Sequence, residues 1–182
     1  SGSSTLKAGL IGTTPTVNIY AGCSKDFAVS ISNCTVESGV VIGYNKDQSM
    51  IGSIAGRVNG TISNCTSAAT VYGTDYVGGI LGNSQTSGCS LTITGCYNTG
   101  SVSAKDRAAG IVARFNGSSS SITLSNCYNT GNIHSESYAT GIYASSGATI
   151  SNAYTTGTIS GKDASSTGAF TTGSYDTLTN CY

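Results

Sequence analysis

The sequence predicts an all-β fold: a parallel β-helix, or β-solenoid, of about five three-strand rungs of 26–31 residues. Three observations predict it. Cys34, Cys65, Cys96 and Cys127 are evenly spaced, with Ala153 and then Cys181 following at slightly shorter intervals in the same local context. Two aliphatic columns recur in step with the cysteines. Composition favours strands and turns: 25 glycines, one proline, no tryptophan, and abundant Ser, Thr, Asn, Ile and Val.

The first element of each unit runs into the cysteine, as Ile31-Ser-Asn-Cys34, Ile62-Ser-Asn-Cys65, Ile93-Thr-Gly-Cys96, Leu124-Ser-Asn-Cys127, Ile150-Ser-Asn-Ala153 and Leu178-Thr-Asn-Cys181. Three residues from Ile to Cys break the two-residue strand period, so a bend or bulge is expected at the Asn. Asn tolerates left-handed backbone and can stack its amide, which suits a corner at Asn33, Asn64, Asn126, Asn152 and Asn180. The second element carries Val40, Val71, Val102, Ile133 and Ile159. The third carries Ile54, Ile80, Ile111, Ile142 and Ala169, preceded by Gly79, Gly110, Gly141 and Gly168 in four units and by Ser53 in the first.

One unit alone cannot bury its apolar face, but stacked units can, at about 4.8 Å per rung. Ile31, Ile62, Ile93, Leu124 and Ile150, with the second column from Val40 to Ile159, are therefore expected to point inward. Extra residues collect between the third strand and the next cysteine, a corner where added loop length costs little. Residues 29–182 are read as repeats. Residues 1–28 are read as an irregular N-terminal segment or cap, with residues 13–28 as a larger insertion and an opening compatible with a tag remnant. Both ends read as cuts from a longer protein.

Charge narrows the function. Only 9% of residues are charged and the formal net charge is zero. A nucleic-acid partner demands a Lys/Arg surplus, and a polybasic membrane patch does too. No run of 18 apolar residues occurs, so membrane insertion is not expected.

The units resemble the GLUG-type repeat of bacterial surface proteins. The resemblance rests on Val77–Gly82 followed by Leu91–Val102, and on Ala109–Val112 leading to Leu124–Ile133, and it covers roughly residues 30–182. Ala153 and Ala169 depart from it in the fifth unit. Such repeats occur in large adhesins and in accessory regions of secreted IgA-cleaving peptidases. The resemblance implies a β-helical spacer or adhesive surface at the bacterial cell surface or outside the cell. It carries no defined catalytic set.

Among candidate site residues, the tyrosines after the cysteine column stand out: Tyr97, Tyr128, Tyr154 and Tyr182, with Thr35 and Thr66 in the earlier units. If Cys faces in, alternation turns them outward, as a stacked stabilising ladder or as an aromatic strip (Tyr97, Tyr128, Tyr154) for glycan or protein contact. The reverse facing is open at this point. The cysteines are read as a buried, mostly reduced ladder, although rungs about 4.8 Å apart also lie within disulfide reach. Cys23 and Cys89 are candidates for a pair across two insertions. Without a Cys-x-x-Cys pair, and with His134 as the lone histidine, no metal or other cofactor is expected.

An acidic residue recurs in the turn before the third strand: Asp47, Asp75, Asp106, Glu136 and Asp163. A solvated turn is the favoured reading, against calcium binding or catalysis. No unit gathers a base, a nucleophile and a partner, so the chain is read as a non-enzymatic structural or adhesive segment whose partner is a host glycan or protein. A glycan-binding module built on the Tyr ladder is the alternative. A further alternative is an excerpt of a β-helical carbohydrate-active enzyme or of an accessory region of a secreted peptidase. Exposed terminal rungs also lead us to expect end-to-end self-association.

Overall fold

The computed structural model describes residues 7–8, 29–47, 49–84, 88, 90–116 and 121–182. They form a β-solenoid of about five turns, in which every strand pairing is parallel and joins one turn to the next. Each of the three apolar stretches is present, and two are broken by a corner, so a complete rung carries five short strands. The third rung shows the pattern: Ser90–Thr94, a corner, Tyr97–Asn98, then Val102–Ala104, then Arg107–Ala109, a second corner and Val112–Phe115. Four stacked sheets result. A single-turn 310 helix, Ala164–Ser166, replaces part of one turn. No helix among the described residues is long and apolar enough to cross a membrane.

The first corner explains the three-residue gap. Asn33, Asn64, Asn126, Asn152 and Asn180 adopt φ of 50–56°, and Gly95 takes the same place at 63°. A left-handed residue advances the chain without alternation, so the residues on both sides of it can face inward. Ile62 and Cys65 are accordingly both fully buried, as are Ile93 with Cys96 and Leu124 with Cys127. The Asn amides stack where rungs allow: Asn152 Nδ2 donates to Asn126 Oδ1, and Asn180 Nδ2 to Asn152 Oδ1, both at 3.1 Å. A Cβ on Gly95 would lie 2.5 Å from Asn64 Oδ1, so the amide below fills that space.

The inward ladders form one continuous core. Ile31, Ile62, Ile93, Leu124 and Ile150 pair rung to rung and are buried. Val71, Val102 and Ile133 are buried likewise, and Ile159 in the last complete rung is half-buried. Val40 is a correction. It is 39% exposed, and Ile42 takes its place by pairing with Val71. The first rung has two more residues than the second between Cys and this column, and they are absorbed by a turn with Gly39 at φ 82°. Ala169 is also exposed, in the same terminal rung as Ile159.

A polar ladder crosses this core. Asn98 and Asn129, inward neighbours of the outward tyrosines, have no exposed surface. Asn98 Nδ2 donates to Gly100 O and to Asn129 Oδ1, both at 2.8 Å; Asn129 Nδ2 donates to Gly131 O at 2.9 Å and to Thr155 Oγ1 at 3.3 Å. Their amides reach the second corner on the opposite side of the coil. A Cβ on Gly79 would collide first with Gly110 O and then with Asn98 Cγ at 2.6 Å, and one on Gly110 first with Gly141 O and then with Asn129 Cγ at 2.5 Å. Glycine is thus required where the Asn column leans on the corner. In the first rung Ser53 stands at that corner, and its hydroxyl donates to Gly79 O.

Lys7–Ala8 pairs in parallel with Met50–Ile51 and adds a strand to the edge of that sheet. The remainder of the expected N-terminal cap, including residues 13–28, lies outside the described residues. At the other end, Thr177–Cys181 pairs on one side only, with Ala148–Thr155, and is mostly exposed.

Two substitutions test these assignments. Val102→Asp buries a charge with no partner and is expected to cost about 3–5 kcal/mol; an unchanged midpoint in chemical denaturation would refute the inward facing. Asn129→Ala strands the bonds at Asn98 and Gly131 and is expected to cost about 1–3 kcal/mol by the same measurement.

Candidate functional site

The structure brings Tyr97, Tyr128 and Tyr154 together on one outer face. Tyr97 pairs with Tyr128, and Tyr128 with Tyr154, in exact rung register. Their ring centroids are 4.5 and 4.8 Å apart, with planes tilted by 5° and 4°. The spacing is that of the strands themselves, so the rings stack because the backbone does. The Thr column continues the file in earlier rungs, where Thr66 Oγ1 bonds Thr35 Oγ1 at 3.2 Å. The facing left open by the sequence is settled: tyrosines out, cysteines in. Stacking has a chemical consequence. Each inner ring face is covered by its neighbour, so the file offers ring edges and phenol hydroxyls rather than flat apolar faces. The Tyr128 hydroxyl titrates above its ordinary range, through burial first and then through Tyr97 and Tyr154.

Behind this file lies the thiol ladder. Cys34, Cys65, Cys96, Cys127 and Cys181 are free thiols. The Sγ–H groups of Cys65, Cys96 and Cys127 donate to the carbonyls of Ser63, Thr94 and Ser125 at 3.2, 3.4 and 3.2 Å. Burial pushes the Cys127 thiol up to about 11 and raises Cys65 and Cys96 as well. Cys23 and Cys89 lie outside the described residues. Among the described residues no three His, Cys, Asp or Glu side chains gather as metal ligands.

The members of the acidic column sit in turns of differing environment. Asp75 closes a turn, accepting from Ser49 N at 2.8 Å and Thr74 Oγ1 at 2.9 Å. Asp163 caps the 310 turn through Ser165 N and Ser166 N, and hydrogen bonds from those two serines hold its carboxyl below the ordinary range. Asp106 is raised by burial, against the opposing pull of Arg107. Asp47 and Glu136 are exposed. His134 is exposed and bonds Ser160 Oγ through Nδ1 at 2.9 Å.

Sequence reasoning missed a second surface, at the corner between the third stretch's two strands. Two of the chain's three arginines, Arg107 and Arg114, meet there, and Arg57 stands two rungs from Arg114 in the same column. Arg57 and Arg114 are the register partners of Asn83 on one sheet; Arg107 lies between Tyr76 and Tyr138 on the adjoining one. Side chains from the two sheets meet. The Arg114 guanidinium lies 4.6 Å from the Tyr76 ring centroid and donates to its hydroxyl. Arg107 lies 4.3 Å from the Tyr138 centroid and donates to Ala144 O at 3.0 Å. The signal was available: the arginines occupy only two repeat columns.

No protein-family model, no curated protein and no solved structure matches the chain.

The thiol ladder yields a direct test. Burial raises these thiols and shields them from reagent, so iodoacetamide at about pH 8.5, mapped by mass spectrometry, is expected to miss Cys65, Cys96 and Cys127 in the native protein. It should label all three in denaturant. Rapid native labelling of Cys96 would contradict its placement.

Proposed function

We propose that this chain is a non-enzymatic structural or adhesive repeat segment of a bacterial cell-surface or secreted protein, in keeping with the GLUG-type resemblance. The observation that carries the reading is the unbroken rung register, which repeats the same outward side chain at fixed intervals along one face. Such a surface suits an extended partner, because weak contacts repeated along a polymer add through multivalency. The low charge favours a host glycan or protein over nucleic acid.

The Tyr97–Tyr128–Tyr154 file supports the alternative of a glycan-binding module. With ring faces covered, that contact would run through phenol hydroxyls and ring edges, so single sugars should bind weakly and polymers better. The test is a glycan and host-protein array on the 182-residue chain, repeated with Tyr97, Tyr128 and Tyr154 changed to Ala. At least a tenfold loss of signal with the strand spectrum intact is expected. Binding that survives the triple change would make the file purely structural, and turnover of an arrayed glycan would overturn the non-enzymatic reading.

A further inference from the structure

We propose that the cleft between Arg107 and Arg114 is a binding site for a carboxylated sugar, of which one hexuronate unit is the simplest form. The site lies on different sheets from the tyrosine file and does not depend on that file's function. It is a cleft of about 330 Å³ lined by Arg107, Arg114, Phe115, Asn116, Ser145 and Ser146. Small-molecule pockets start near about 300 Å³, so this one takes roughly one or two sugar rings.

The case begins with the two guanidiniums. Each is a permanent cation whose planar fork matches the two oxygens of a carboxylate. Each is also held before any ligand arrives. Arg107 is fixed by the Tyr138 ring and by Ala144 O; Arg114 is fixed by the Tyr76 ring and hydroxyl. Each of these two hydrogen bonds runs through Nη1, which directs the other N–H groups of each fork elsewhere. Preorganised forks lose little entropy on binding.

Charge selects the ligand's valence. The nearest carboxylate is Asp106, whose Oδ2 lies 3.9 Å from Arg107 Nε. Among the described residues no carboxylate comes within 4 Å of Arg114. Asp75 acts on Asp106, and Asp176 acts together with both arginines on Tyr143, whose hydroxyl donates to Ser146 O; these carboxylates offset much of the arginines' charge, so the cleft suits a monoanion better than a phosphate dianion. The remaining lining selects what carries the carboxylate. Asn116, Ser145 and Ser146 are amide and hydroxyl groups, and Phe115 is a buried core residue whose carbonyl accepts from Ser145 Oγ at 3.5 Å. A lining rich in donors and acceptors suits the hydroxyls of a sugar better than an apolar side chain.

Isothermal titration of the whole chain with glucuronate, glucose and acetate tests this. Saturable binding of glucuronate is expected, at least tenfold tighter than glucose or acetate. Arg114→Gln should weaken it at least tenfold, and Arg114→Lys, which keeps the charge but loses the fork, at least threefold. The Tyr97, Tyr128 and Tyr154 triple change should leave glucuronate affinity unaltered. Equal affinity for glucuronate and glucose would overturn the carboxylate contact, and equal affinity for glucuronate and acetate would overturn the sugar. No saturable glucuronate binding, or binding indifferent to both Arg114 variants, would overturn the site. If Arg114→Gln fails to fold, Arg114→Lys decides.

Discussion

Every outward column of this protein is aligned because each rung places one residue in the left-handed region between its Ile and Cys positions. That residue turns the chain and resets the alternation, so that Ile and Cys both enter the core while Tyr or Thr leaves it. With the reset at the same point in every rung, the backbone ladder can run in register from Val29 to Cys181. The alternative amino acids at the corner are few. L-residues with a branched or bulky side chain resist positive φ, whereas Asn adopts it readily and Gly without steric cost. The corner column contains only those two.

Polar groups enter this core, and several of them bond neighbouring rungs. Asn98 and Asn129 are buried amides, and each bonds its own turn and the next rung. Such groups specify register as well as stability, since a slip of one rung position would leave amides unmatched. The glycines at 79 and 110 belong to the same arrangement, because the amides lean against the corner they form.

Much of this was legible in the sequence. The parallel coil, the inward aliphatic columns and the Asn corner follow from periodicity, because a repeat that stacks must put equivalent residues above one another; the facing of the tyrosines did not, since the bend at Asn interrupts the alternation. Val40 was misplaced by the same periodicity. Counting a fixed offset from Cys ignores a two-residue turn, and only the pairing of Ile42 with Val71 reveals it. Splitting of the third stretch by a corner was also hidden, since Gly-Ile reads equally well as a straight strand. The arginine cleft depends on that hidden corner. Arg114 and Tyr76, 38 positions apart, meet there because two sheets fold toward each other, and no linear pattern records the angle between sheets.

The rung pitch has a consequence for what such a segment can accomplish. Each turn uses 26 to 31 residues and advances the axis by only about 4.8 Å. The same residues in an α-helix would reach about 40–46 Å. A chain selected for distance would not be built this way. Here, most residues go into circumference, giving broad walls that differ from one another and are stiff along their length. Copying a unit would therefore change reach very little, while adding one more position to every wall at once. A lineage that gains or loses rungs would tune how many times each surface feature is repeated, and so its valency, with almost no change in overall size.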